Sequence, residues 1–189
     1  MSVSNQQLHD DILACLPHLR AFAHLLARDR TLAEDLVQDT VLRALTYHHQ
    51  FKPGTNFRGW LIIILRNRYF NEMRRRSRRS ETSSEAVNID TATSGGQEEK
   101  LEVRDFMQAF EKLPPSQREA LLLVGASGFS YEEAANISGC AVGTMKSRVS
   151  RARLQLQTML EGEEIASPEA LALLGLSGDN DDTPIARKA

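Results

Sequence analysis

Arg74, Arg75, Arg76, Arg78 and Arg79 crowd five guanidinium groups into six positions, and Lys146, Arg148, Arg151 and Arg153 form a second basic run with no acidic residue between Gly143 and Thr158. Groups that stay protonated at neutral pH do not serve as nucleophiles or general bases. Their chemistry at this density is the binding of polyanions, phosphates above all. The formal net charge of −2 conceals the partition: residues 51–80 carry +8 and 144–158 carry +4, against −2 in 1–50, −5 in 81–105, −2 in 106–143 and −5 in 159–189. Two basic segments set apart by acidic ones predict two anion contacts on different parts of the chain.

Other chemistries lack their residues. His9, His18, His24, His48 and His49 show no paired metal-ligand spacing, and neither a Gly-rich phosphate loop nor a nucleophile elbow is present. Cys15 and Cys140 stand far apart without a second ligand nearby, which argues against a zinc site or a disulfide framework and fits a reducing compartment. The reading is therefore a binding protein rather than an enzyme, with no metal and no cofactor. The longest apolar run, Trp60 to Leu65, falls far short of the roughly 20 residues that span a bilayer. No apolar stretch follows Met1 as a signal peptide would require, so a cytoplasmic location without membrane contact is expected.

The elements that must position the basic runs are helical. Leu8, Ile12, Leu16, Leu19, Phe22 and Leu26 recur at steps of three and four, as do Leu32, Leu36, Val37, Val41, Ala44 and Leu45. Thr31 with Glu34 has the spacing of a capping box for the second helix. Pro53-Gly54 marks a turn, after which Thr55 or Asn56 can cap a third helix that is apolar from Phe57 to Leu65 and basic at its end. Phe57 and Trp60 belong to the core on this spacing. From Glu81 to Gln97 the composition turns to Ser, Thr, Gly and acidic residues, which reads as a flexible linker. Its reach is at most roughly 60 Å extended and about 20–25 Å relaxed, enough for sites one to two DNA turns apart.

Beyond it, Leu101, Phe106, Ala109, Phe110 and Leu113 share a helix face that Pro114-Pro115 ends, and Ser116 is expected to cap the next helix. Glycines 125 and 128 loosen the chain there. Ser130 with Glu133 forms a capping box for a short helix ending at Ser138-Gly139, and a last helix starts near Val142 or Thr144. Val142, Met145, Val149, Ala152 and Leu156 keep a buried spacing in it, while Lys146, Ser147, Arg148, Ser150, Arg151 and Arg153 fill the other faces. A short helix, a Gly-containing turn and a basic helix read as helix-turn-helix. The expected fold class is all-α: a helical domain over 1–80, a linker over 81–97, a helix-turn-helix domain over 98–160 and an acidic extension over 161–189. In the extension Ser167-Pro168-Glu169 can open one short helix carrying Leu171, Leu173, Leu174 and Leu176.

These stretches resemble an RNA polymerase sigma factor of the extracytoplasmic-function (ECF) type. Ala33-Glu34-Asp35-Leu36-Val37-Gln38-Asp39-Thr40-Val41-Leu42-Arg43-Ala44 is similar to the polymerase-binding part of region 2, and Phe57-Arg58-Gly59-Trp60-Leu61 with Arg66-Asn67 to its promoter-melting part. Leu113-Pro114-Pro115-Ser116-Gln117-Arg118-Glu119, and Gly128 to Ala135 followed by Gly143 to Arg153, resemble region 4. The wording of Gly128 to Ala135 and of Gly139 to Thr144 resembles the EcfG subgroup, which runs a general stress response.

The resemblance implies the partners and roles. Asp35, Leu36, Gln38, Asp39, Leu42 and Arg43 would dock on core RNA polymerase. Lys52, Arg66, Asn67, Tyr69, Arg74, Arg75 and Arg76 would meet the minus-ten element of promoter DNA and its opened strand. Lys146, Ser147, Ser150 and Arg151 would reach base edges of the minus-thirty-five element, while Arg148, Arg153, Ser116 and Arg118 would hold phosphates. A small anti-sigma factor of the NepR type would be the inhibitor. Two other functions share parts of this pattern: a sigma-like decoy that binds only the inhibitor, which would need no basic reading helix, and a plain helix-turn-helix repressor, which leaves the first domain without a purpose.

Overall fold

The computed structural model describes residues 5–80 and 99–161, and every regular element among them is helical. Three α-helices and a 3-10 turn over His48–Gln50 make the first domain: α1 (Asn5–Ala27), α2 (Arg30–Thr46) and α3 (Phe57–Ser80). Four make the second: α4 (Glu99–Lys112), α5 (Pro115–Leu121), α6 (Tyr131–Ser138) and α7 (Val142–Glu161). The linker and the acidic extension, with its expected short helix, lie outside the described residues, as does the side chain of Leu101.

Most of the apolar spacings bury as expected, while Leu16, Val41, Leu45 and Val142 are only partly buried against the core. Leu8, Ile12, Leu19, Phe22 and Leu26 of α1 pack on Leu32, Leu36, Val37 and Ala44 of α2 and on Leu61, Ile62 and Leu65 of α3. Phe57 and Trp60 are only partly buried and cluster with Phe51, at ring centroid distances of 5.0 and 5.5 Å from it. In the second domain Phe106, Ala109, Phe110 and Leu113 meet Ala120 to Leu123 and the Met145, Val149, Ala152, Leu156 stripe of α7.

Two helix starts differ from expectation. The cap of α2 is Asp29, whose Oδ1 accepts the Leu32 N–H at 3.0 Å, not Thr31. Arg28 before it takes a left-handed φ of 61°, turning the chain so that Asp29 arrives first, and Glu34 is drawn instead to His24 at 3.0 Å. Ser116 does not cap α5 either. Pro115 occupies the first helical position, where its fixed φ suits a helix and its missing N–H costs nothing, so the cap moves back to Pro114. The Pro114 carbonyl then accepts from Gln117 and Arg118 at 2.9 and 3.0 Å.

After α5 the chain widens into a π-turn over Leu122–Ala126, closed by the Ser127 N–H on the Leu122 carbonyl at 2.8 Å. Asn56 caps α3 through the Gly59 N–H at 3.0 Å. The capping box of α6 is complete, and Gly139, at φ 64°, ends that helix in the left-handed conformation that favours glycine.

Candidate nucleic-acid interface

The turn from Gly139 to Ala141 sets α7 against α6, and α7 buries Met145, Val149, Ala152 and Leu156 while Lys146, Ser150, Arg151 and Arg153 stand exposed. Ser147 and Arg148 are half-buried, and Ser147 Oγ donates to the Thr144 carbonyl at 2.9 Å. The Lys146 ammonium lies 5.7 Å from the centre of the Tyr131 ring, so the first turn of α6 helps aim the first basic residue of α7. This gives a helix-turn-helix with an acid-free cationic face, suited to a phosphate-lined groove.

On α3 the basic end is also outward. Arg74 and Arg75 are exposed, and Arg76 pairs with Glu72 at 3.3 Å and with Asp29 at 3.6 Å. Lys52 and Asn67 are exposed. Along α2, Asp35, Gln38, Leu42 and Arg43 form an open face beside half-buried Asp39, which receives Arg43 at 3.2 Å and Arg68 at 2.8 Å. Leu36 is 2% exposed and belongs to the core. It faces inward because it sits one turn from Ala33 and Thr40 on the buried side, so it cannot touch a docked protein.

The two domains pack directly on one another. Arg66 of α3 pairs with Glu119 of α5. Arg58 donates Nη2–H to the Ser127 carbonyl at 2.7 Å and covers the Phe129 ring at 4.7 Å. Arg28 holds both the carbonyl and the carboxylate of Glu111 at 3.0 Å, and Asn56 Nδ2 donates to Glu133 Oε1 at 3.0 Å. The packing seals Tyr69 at 3% exposure and Arg118 at 4%. Burial raises the Tyr69 pKa, with Arg118 opposing, and lowers that of Arg118, with Tyr69 opposing. Glu119 is raised by burial, against which the charge and hydrogen bond of Arg66 pull downward.

Tyr69 therefore offers no free ring to an unpaired base in this arrangement, and Arg118 no free guanidinium to a phosphate. Arg66 is engaged by Glu119. Sequence reasoning missed Glu119, Arg58 and Glu111. Their partners lie 53 to 83 residues away, beyond any helical period. Among the described residues no group of His, Cys, Asp or Glu is placed to hold a metal ion, and no helix is long and apolar enough to cross a membrane.

A three-helix domain with an open polar face on α2, followed by a helix-turn-helix domain with a cationic α7, defines a two-domain transcription protein. The "Sigma-70 region 2" family matches residues 12–79 and "Sigma-70, region 4" matches residues 104–156. The chain belongs to the ECF RNA polymerase sigma factors. It is 49% identical over 175 residues to the ECF RNA polymerase sigma factor EcfG of Rhodopseudomonas palustris, covering 90% of this chain and 97% of that one. It is 35% identical to the sigma factor SigE of Mycolicibacterium smegmatis over 73% of this chain and 55% of that protein. The fold superposes on the sigma factor RpoE of Bartonella quintana, solved in complex with the anti-sigma factor NepR, with a TM-score of 0.74 and 46% identity, covering 81% of this chain and 96% of that one. CnrH, solved in complex with the cytosolic domain of CnrY, superposes with a TM-score of 0.64 at 25% identity, over 85% of this chain and 92% of that one.

Proposed function

We propose that this chain directs core RNA polymerase to general-stress promoters, assists strand opening there, and is restrained by a small anti-sigma factor of the NepR kind. The observation that carries the DNA part is α7: Lys146, Ser150, Arg151 and Arg153 stand exposed on one helix, behind a three-residue turn, with no carboxylate among them. Lys146, Ser147, Ser150 and Arg151 are the base-reading residues, and Arg148 and Arg153 hold phosphates. On α3, Arg66, Asn67, Arg74, Arg75 and Arg76 with Lys52 meet the minus-ten region, Arg66 once it is released from Glu119. On α2, Asp35, Gln38, Asp39, Leu42 and Arg43 dock on the polymerase. Chemistry stays with the polymerase, and this chain contributes binding energy rather than catalysis.

The inhibitor proposal rests on the two superposed structures, RpoE solved with the anti-sigma factor NepR and CnrH solved with the cytosolic domain of CnrY. It also fits the masking of Tyr69, Arg118 and Arg66, since a protein that stabilises this closed packing withholds three of the residues assigned to DNA. Run-off transcription with purified core polymerase tests the reading. Transcript from a stress promoter should require this chain and should fall when a NepR-type protein is added. No stimulation of core polymerase on any such promoter would reject it.

A further inference from the structure

Between α3 on one side and α5 with α7 on the other lies a recess of about 400 Å³, within the range of small-molecule sites. Glu119 is the one carboxylate lining it, and it is engaged by Arg66. Arg66 in turn donates to Asn67 Oδ1 at 3.4 Å, and the amide group of Asn67 is a further hydrogen-bond donor in the lining. What remains is a set of donors. Arg74 from the first domain and Arg148 from the second both line the cavity, and neither forms an ion pair among the described residues, although Arg148 feels the charge of Glu119. Asn71 and the Ser116 hydroxyl add hydrogen-bond donors from opposite walls.

Three arginines against one glutamate leave the recess with two uncompensated positive charges, and these sit on different domains. Like charges drawn together by packing oppose it, and an anion between them reverses the sign of that contribution. We propose that the recess binds a small phosphate-bearing anion of the di- or triphosphate class, which ties Arg74 of α3 to Arg148 of α7 and holds the domains closed. The walls come from both domains, so the site exists only while they are packed together, and its ligand is a ligand of the closed arrangement. Arg66, Asn67, Arg74, Ser116 and Arg148 are also residues assigned above to promoter DNA. Occupancy and promoter binding therefore exclude one another, and each weakens the other by the same factor. That regulatory consequence rests on the sigma-factor reading, whereas the binding itself does not.

Calorimetric titration of the full chain with inorganic triphosphate, at low salt and without divalent cations, tests the binding. One equivalent should bind, at least tenfold more weakly in the Arg74→Gln/Arg148→Gln variant, and unchanged in Arg30→Gln/Lys112→Gln, which removes the same charge elsewhere. Small-angle scattering should show the chain held at its compact dimension by the ligand. A nucleoside triphosphate that binds as tightly as the inorganic one assigns recognition to the phosphates alone. A tighter nucleotide adds a contact to its base or sugar, and either result supports the site. Absence of binding at millimolar ligand overturns the proposal, as does equal loss in the two double variants. It also fails if binding appears only after Glu81, Glu85 and Asp90 are neutralised, because the chain's own linker is then the occupant. A failed transcription assay would leave all of these readouts in place, so the two proposals fail separately.

Discussion

Arg66 of α3 and Glu119 of α5 join the two domains through one ion pair whose members are unequally buried, with the Arg66 side chain 19% exposed and that of Glu119 1%. The inequality sets the consequence of breaking it. Removing Arg66 leaves a carboxylate that is almost fully buried and has lost its paired cation, and stranding a buried charge in this way costs about 3–5 kcal/mol. Removing the Glu119 charge leaves a guanidinium that can reach solvent along its stem. Arg66→Ala should therefore open the domains, seen as a larger radius of gyration, whereas Glu119→Gln should leave them closed. The double variant should close again relative to Arg66→Ala. Equal radii for wild type and Arg66→Ala would show that the pair does not hold the packing.

A second bond between the domains is tied to a helix cap. Glu133 closes the α6 capping box, its Oε2 accepting the Ser130 N–H at 3.0 Å, and its other oxygen receives Asn56. The Ser130 backbone bond, followed by that from Asn56, lowers its pKa from 4.5. A carboxylate lowered on folding stabilises the native state above its unfolded value, and that contribution disappears as pH falls through the lowered one. Glu133→Gln retains an acceptor and loses the charge. Its stability deficit against wild type should be present at neutral pH and close as the medium passes below 4.5. Chemical denaturation of both proteins at matched pH values measures it, and a deficit independent of pH would assign the cap to the hydrogen bond alone. Ser130→Ala should cost about 1 kcal/mol throughout.

Periodicity reported the faces of single helices well. The stripe from Leu8 to Leu26, the capping box at Ser130 and the cationic face of α7 all follow from neighbours within a turn or two. Burial at the domain contact does not. Arg118 and Glu119 read as a polar helix start, and their burial is made tolerable by Tyr69 and Arg66 arriving from α3 together with the Glu111 carbonyl, which accepts from Arg118 at 3.5 Å. Thr31 and Ser116 failed as caps for a local reason, since a left-handed Arg28 and a proline at the first helical position each moved the start of the helix. Leu36 matched both the polymerase-binding stretch and the apolar stripe, and the packing of α2 on α1 and α3 decides for the stripe.

Leu36 and Leu42 separate folding from docking on the same helix. Leu36 is sealed at 2% exposure and Leu42 stands open at 63%. Leu36→Ala removes buried carbons and leaves a cavity, so unfolding should become easier by about 2–5 kcal/mol. Leu42→Asp leaves stability within about 0.5 kcal/mol, as for an exposed site without partners, and weakens association with core polymerase. Thermal unfolding and co-migration with core enzyme distinguish the two. Undiminished core association in Leu42→Asp would move the docking surface off this face of α2.

Arg151 and Arg153 make the corresponding separation for DNA. Both are exposed on α7, two residues apart and so turned about 200° from one another around the helix axis. One of them can enter a groove while the other lies toward its edge. Arg151→Ala should lower affinity for a cognate minus-thirty-five duplex by roughly 1–3 kcal/mol and narrow the gap to mismatched duplexes, because a lost base contact is lost only where the base was right. Arg153→Ala should weaken cognate and mismatched duplexes alike and flatten the salt dependence by about one phosphate. Binding of each variant to matched and mismatched duplexes across a salt series reads both effects. A uniform loss for Arg151→Ala would remove Arg151 from the base-reading set and leave that role to Lys146, Ser147 and Ser150.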